Sequence, residues 1–302
     1  MTVELGVQTM TSYATSLELA RWAEERGLAA FAVADHYISS STKPYALDQL
    51  TVLAAVAAGT DTIELASLVS PITFRHPAVM HKVGVTLDEV SGGRFSLGVG
   101  AGWLAAEHTA FGFDFPDTKE RFDRLEDALA YLHAARGGRG HDGRFYRLAP
   151  EPLPEPRGES MRLVVGGSGT RRTPTLAGTY ADEFNVFPAE ASIESRVETA
   201  RAAARKAGRD SGSLRISMAF PLVVGADEED VEQRIEAVAT ARNTDPDRIR
   251  TRWPEIGIPV GTVDRFQARL AELEAAGVER VYLQVAFDSP ADIKHSIGLL
   301  IG

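Results

Sequence analysis

A chain of 302 residues without cysteine is long enough for one large α/β barrel or two ordinary domains, and it excludes disulfides, thiolate metal sites and a cysteine nucleophile. Its formal net charge of −10 argues against general nucleic-acid binding, which needs a basic surface, and is read as a solubility charge. The opening "MTVELGVQTM" has neither a basic region nor a long apolar run, so neither a signal peptide nor membrane attachment is expected, and the expected location is cytoplasmic.

Hydrophobic periodicity then alternates along the chain. "VELGVQ" reads as a buried strand, and "SLELARWAEERG" as an amphipathic helix closed by Gly27 at its C′ position. "AAFAVAD" is a strand, "ALDQLTVLAAVAAG" a helix, "TIELASLV" a third strand. Pro77 to Val90 reads as a helix with Pro77 in its first turn. "RFSLGVG" is the fourth strand, and "TKERFDRLEDALAYLHAA" a long helix with Thr118 as its expected N-cap. Residues 137–160 are rich in Gly, Pro and charge, which fits either an inter-domain linker or a long barrel loop. "MRLVVGG", "DEFNVF", "LRISMAFPLVVG" and "RVYLQVAF" read as further strands, separated by helices over "TRRTPTLAGTY", "SIESRVETARAAARKAG" and "VDRFQARLAELEAAG". Extra helices are expected between 226 and 256, and a closing helix from Pro290.

About eight strands, each followed by a helix, is the (β/α)8 count. Cutting at 137–160 leaves about four βα units on each side, and two such halves close readily into one barrel. The expected architecture is therefore a single-domain (β/α)8 barrel over 1–302, with insertions after its fourth and seventh strands.

That architecture decides how to read "GVGAGW". A Rossmann turn has the form G-x-G-x-x-G and belongs after the first strand. Here the glycines follow the fourth strand, and Trp103 stands where the third glycine belongs. In a barrel, strand C-termini face the active site, so Gly98, Gly100 and Gly102 are read as a place where a ligand lies against backbone. Other strand ends carry candidates too. "VADHY" offers Asp35 and His36. His36 either exchanges a proton with a ligand or is pinned in a hydrogen-bond network with Asp35 capping a loop. Trp103 is a candidate pocket wall, and Glu107 either bonds a ligand or caps the next helix. "VVGGSGTRRT" leads Gly166, Gly167, Ser168, Gly169 and Thr170 into a helix N-terminus, where free amides favour a phosphate and Arg171 or Arg172 adds charge. His76 and His81 lie five apart, off the metal-ligand spacing of four, so no metal is expected. His108, His133, His141 and His295 are read as surface or structural. No G-x-S-x-G elbow is present. Tyr37, Tyr45, Phe74 and Trp253 hint at an apolar substrate pocket, shaped by loops near 37–46, 137–160 and 241–258.

Taken together, "VADHY", "ASLVSPITFRHPAVMHKVGVTLDEVSGGRFSLGVGAGWLAAEHTAFG", "LVVGGSGTRRTPTLAGTYADEFNVF" and "IGIPVGTVDRFQARLAELEAAGVERVYLQV" resemble the luciferase-like flavin and deazaflavin oxidoreductases, a (β/α)8 family. The form is most similar to the branch using coenzyme F420, a 5-deazaflavin, with FMN the alternative cofactor. The resemblance implies hydride transfer to or from a small organic substrate, and a homodimer. An FMN-dependent monooxygenase and a cofactor-binding barrel without turnover are the alternatives. It implies that Asp35 and His36 face the ring or substrate, with His36 catalytic. A cis peptide at Ser67 and Leu68 would back the ring. Gly100, Ala101, Gly102 and Trp103 would lie near ring and ribityl chain, and Gly166, Gly167 and Ser168 would hold the phosphate. Tyr37, Phe74, Trp103 and Glu107 would line the substrate pocket. Members that oxidise phosphorylated sugars carry a glutamate directly after the G-x-G turn. Trp103 occupies that position here, which argues against a sugar phosphate.

Overall fold

Eight short apolar runs, each buried on both faces, become the staves of a closed parallel barrel. In the computed structural model, which describes residues 3–38, 46–149, 161–189, 192–285 and 289–302, they are β1 (Glu4–Thr9), β2 (Ala30–Val33), β3 (Glu64–Ser67), β4 (Phe95–Gly100), β5 (Arg162–Gly167), β6 (Glu183–Val186), β7 (Arg215–Pro221) and β8 (Arg280–Gln284). Each stave pairs in parallel with the next, and β8 closes on β1 with Glu4 opposite Arg280. Outside them lie α1 (Tyr13–Glu25), α2 (Gln49–Ala57), α3 (Pro77–Val90), α4 (Ala105–Phe111), α5 (Thr118–Arg136), α6 (Arg172–Tyr180), α7 (Ile193–Lys206), α8 (Glu228–Arg242), α9 (Pro246–Glu255), α10 (Val263–Ala275) and α11 (Pro290–Ile301).

The packing explains the sequence pattern. Phe31, Phe95, Phe184 and Phe220 point outward from their staves and are fully buried beneath the helices. Each such ring contributes roughly 2–3 kcal/mol of burial. The barrel interior is filled by a separate cluster built on Ala30, Ala32, Ala66, Leu68, Val164, Ala219 and Tyr282.

Boundaries largely follow the local signals. Helix α1 is followed by Gly27 at φ 73°, the left-handed conformation that favours glycine. Helix α5 differs from expectation. Its N-cap is Asp117, whose Oδ1 accepts from Glu120 N–H at 2.8 Å, and Thr118 is already helical. The seventh strand also differs. "LRISMAFPLVVG" bends after Pro221, and Val223–Gly225 leaves the barrel to pair with Val260–Thr262. Segment 137–160 lies between two staves that pair directly, Ser96 opposite Arg162. Its described part forms a small antiparallel ladder of His141–Asp142 with Arg147–Leu148. Residues 150–160 lie outside the described chain.

The bottom of the barrel carries an arrangement that periodicity does not reveal. Six staves begin with a charged residue: Glu4, Glu64 and Glu183 against Arg162, Arg215 and Arg280. Arg280 reaches Glu4 at 2.7 Å and Glu64 at 2.8 Å. Arg162 and Arg215 join the same Glu64 oxygen at 2.9 and 3.1 Å. Burial alone would raise the Glu64 carboxyl, but the three guanidinium groups hold it down at about 2.

Candidate active site

At the opposite end, the C-terminal ends of the staves surround a cavity of about 660 Å3, within the size range of small-molecule sites. β1 contributes Gln8 and Thr9. The turn after β2 contributes Asp35, His36 and Ile38. Gly100 to Leu104 follow β4, and Gly166 to Gly169 follow β5. Apolar walls come from Leu68, Val69, Pro71, Phe122, Leu125 and Phe187.

One wall owes its shape to an exchange of side chains. The Leu68–Val69 peptide is cis, one bond beyond the expected turn at Ser67 and Leu68. Ser70 and Pro71 then rejoin β4. A Cβ on Gly98 would lie 1.9 Å from the Ser67 carbonyl oxygen, and Cβ atoms on Gly100 and Gly166 would each lie 2.8 Å from a Val69 methyl. These glycines therefore admit the Ser67–Val69 bulge. Of the glycines read as room for a ligand, Gly98 instead admits the Ser67 carbonyl and Gly100 the Val69 methyl, while Gly100 and Gly102 line the cavity together with Val69. Ser67 is wholly buried, with its Oγ accepting from Gly98 N–H at 2.8 Å, and does not line the cavity. Gln8, Thr9, Val69 and Gln284 were not anticipated. The Gln8 amide donates to the Leu68 carbonyl, and Gln284 Nε2 donates to Gln8 Oε1 at 2.8 Å. The available signal was a glutamine at the end of each of two otherwise apolar strands.

His36 stands in the cavity wall, its side chain 22% exposed. Its Nδ1 lies 3.1 Å from both carboxylate oxygens of Glu107. The Trp103 ring meets it edge-on at 6.0 Å. Trp103 is 70% exposed, so it stands at the mouth and is not core. Glu107 differs from expectation. It is buried at 1% exposure behind His36 and is absent from the cavity wall. It lies in the first turn of α4 but does not cap it, because its Oε1 accepts from Tyr37 N–H at 2.7 Å and Ile38 N–H at 3.0 Å. Burial pushes its carboxyl up, yet these donors and His36 hold it below the usual carboxylate range.

Asp35 lines the cavity, but its carboxylate is engaged by Arg75, which also binds Asp48. Tyr37 and Phe74 are likewise not in the wall. They form an aromatic nest with Phe111, Phe113 and His108, with ring separations near 5 Å such as 4.9 Å for Tyr37–Phe74. His108 is buried and structural, its ring bridging Leu104 O and Thr73 Oγ1. Trp253 packs into the core, while Arg242 of the same insertion reaches the cavity. Tyr45 falls outside the described residues. Among the described residues no group of three His, Cys, Asp or Glu is placed to hold a metal ion, and no helix is long and apolar enough to cross a membrane.

Part of the cavity wall leads into a helix N-terminus, a fit for a phosphate. Gly167, Ser168 and Gly169 line it and lead into α6, whose N-cap, Arg171, supplies no side-chain hydrogen bond. The first amides of that helix are thus left for an anion. Arg172 is turned away to Asp123 at 2.7 Å and Glu126 at 3.3 Å, so it adds no charge there. Thr9 Oγ1, at the cavity wall, is buried without a hydrogen-bond partner among the described residues. An uncapped helix start and apolar walls, with His36 in the same lining, fit a flat ring carrying a phosphate-ended chain.

A sequence model of the family described as luciferase-like monooxygenase matches residues 2–280. The chain belongs to that family. An F420-dependent glucose-6-phosphate dehydrogenase from Nakamurella multipartita is 30% identical over 70% of this chain and 64% of its own length. The pyrimidine monooxygenase RutA from Allorhizobium ampelinum is 29% identical over 57% of this chain and 49% of its own. The chain thus spans about half to two thirds of the curated relatives it matches. Among solved structures, an F420-dependent secondary alcohol dehydrogenase holding an F420–acetone adduct superposes with a TM-score of 0.80 at 19% identity, over 99% of both chains. That likeness speaks for the fold.

Proposed function

We propose that this chain is an F420-dependent oxidoreductase that transfers hydride between the deazaflavin and a small organic substrate. The observation that carries the reading is the pairing, in the lining of one cavity, of a phosphate-type seat at Gly167–Gly169 with the His36 imidazole. The F420-dependent relatives support it. Bound F420 would supply the hydride chemistry. The chain's own residues do the rest. Gly167 to Gly169 and the first turn of α6 hold the phosphate, and Val69 with Leu68 backs the ring. His36 accepts a proton from a substrate hydroxyl, or returns one to a carbonyl oxygen in the reverse direction. Trp103 shields the reacting centre from water. Trp103 standing directly after the G-x-G turn speaks against a sugar-phosphate substrate.

The test is parallel equilibrium binding of oxidised F420 and FMN to the purified protein, followed by fluorescence. Tight F420 and weak FMN binding is expected. Preference for FMN would replace this reading with an oxygen-using monooxygenase, which the likeness to the pyrimidine monooxygenase would then favour. Binding of neither would leave a barrel without this chemistry.

A further inference from the structure

We infer that Glu107 is a positioning residue that fixes the tautomer of His36, so that Nε2 faces the cavity as a proton acceptor. The catalytic part of this inference rests on the function proposed above. The tautomer part does not.

The argument begins with donor counting. An ionised carboxylate only accepts hydrogen bonds. Glu107 has both oxygens 3.1 Å from His36 Nδ1, so Nδ1 must carry the hydrogen. Neutral imidazole has one N–H, which leaves Nε2 with its lone pair. No described side chain or backbone group takes a hydrogen bond from Nε2 or gives one to it. Its lone pair is therefore available, and His36 itself lines the cavity. In use, a substrate O–H bond breaks, an N–H bond forms at Nε2, and the electron pair stays on oxygen. The resulting imidazolium keeps its Nδ1–H on Glu107.

The same contacts make an isosteric test unusually sharp. Glu107 Oε1 is held by two backbone donors, Tyr37 N–H at 2.7 Å and Ile38 N–H at 3.0 Å. In Glu107→Gln these donors fix the amide oxygen at the Oε1 position. The amide NH2 then takes the Oε2 position, 3.1 Å from Nδ1, where its hydrogens oppose an Nδ1 proton and favour an accepting Nδ1. The proton moves to Nε2, and the ring meets the substrate as a donor. Shape, volume and packing barely change.

Histidine 15N spectra of the cofactor-free protein, recorded at a pH where the imidazole is neutral, separate protonated from unprotonated ring nitrogens. His36→Asn identifies the His36 signals by their loss. The wild type is expected to show Nδ1 protonated and Nε2 bare, and Glu107→Gln the reverse. With substrate and cofactor, Glu107→Gln should lower kcat by roughly 10²- to 10⁴-fold with KM little changed. A wild-type signal with the proton on Nε2 overturns the inference, and that measurement stands even if the variant does not fold. A folded Glu107→Gln that keeps the wild-type tautomer, or its kcat, overturns it equally, since a merely structural glutamate would change stability alone. Failure of F420 to bind would remove the proposed function and leave the tautomer result to be judged separately.

Discussion

Val69 occupies the volume that two missing side chains leave open, and its neighbours should respond accordingly. Gly100→Ala puts a methyl 2.8 Å from Val69 Cγ2 and only 4.0 Å from Val69 Cβ. The main clash is thus with the Val69 methyl, beside a tight 3.3 Å approach to the Gly166 carbonyl oxygen that trimming Val69 does not relieve. Gly100→Ala is expected to cost roughly 1–3 kcal/mol, and Val69→Ala/Gly100→Ala to cost less than the sum of the single changes. Chemical denaturation of the four proteins closes the cycle, and strictly additive losses would refute the contact. Gly98→Ala has no such rescue, because its partner is the Ser67 carbonyl of the backbone. His36 and Trp103 were legible as cavity-lining residues because both follow a strand end. The pairing of His36 with Glu107, 71 residues apart, was not, since no local pattern records which side chains meet across a barrel mouth.

Among the elements, helix α5 separates what a sequence signal shows from what the backbone selects. Both Asp117 and Thr118 are N-cap types, and the chain uses the first, extended at φ −60°, ψ 165°. Asp117→Ala should therefore cost roughly 1 kcal/mol, while Thr118→Ala should be near neutral. Equal losses in urea melts would contradict this assignment. The strand–helix alternation itself was readable, because buried staves are short apolar runs and their helices carry a 3.6-residue pattern. Where a strand stops being a stave was not. Residues 222–225 remain apolar beyond Pro221, yet Val223–Gly225 pairs with Val260–Thr262, a choice made by a partner far along the chain. Tyr37 and Phe74 sit beside the cavity, and Asp35 lines it with its carboxylate taken by Arg75, for the same reason. Their positions near strand ends were clear, but the arginine and the aromatic nest that engage them were invisible.

At the scale of the whole barrel, the six-charge base links stability to acidity. Glu64 titrates at about 2 when folded, against an ordinary 4.5. A depressed folded value means its stabilisation is fully present above about 4.5 and is lost as pH falls toward 2. The amount at neutral pH is up to roughly 3 kcal/mol. Urea midpoints measured across that interval should fall steeply in the wild type. In Glu64→Gln the curve should start lower, because three arginines lose their shared partner, and should fall less. Parallel curves would show that Glu64 does not drive acid unfolding.

That base also settles traffic. With ion pairs below and a packed interior cluster above them, the described residues fill the lower end of the barrel, and the cavity lies at the upper one beside exposed Trp103. Under the proposed function, ring and substrate would both enter at that rim, so the guest seated deeper would wait for the one nearer the rim, and the order of arrival would set the order of departure.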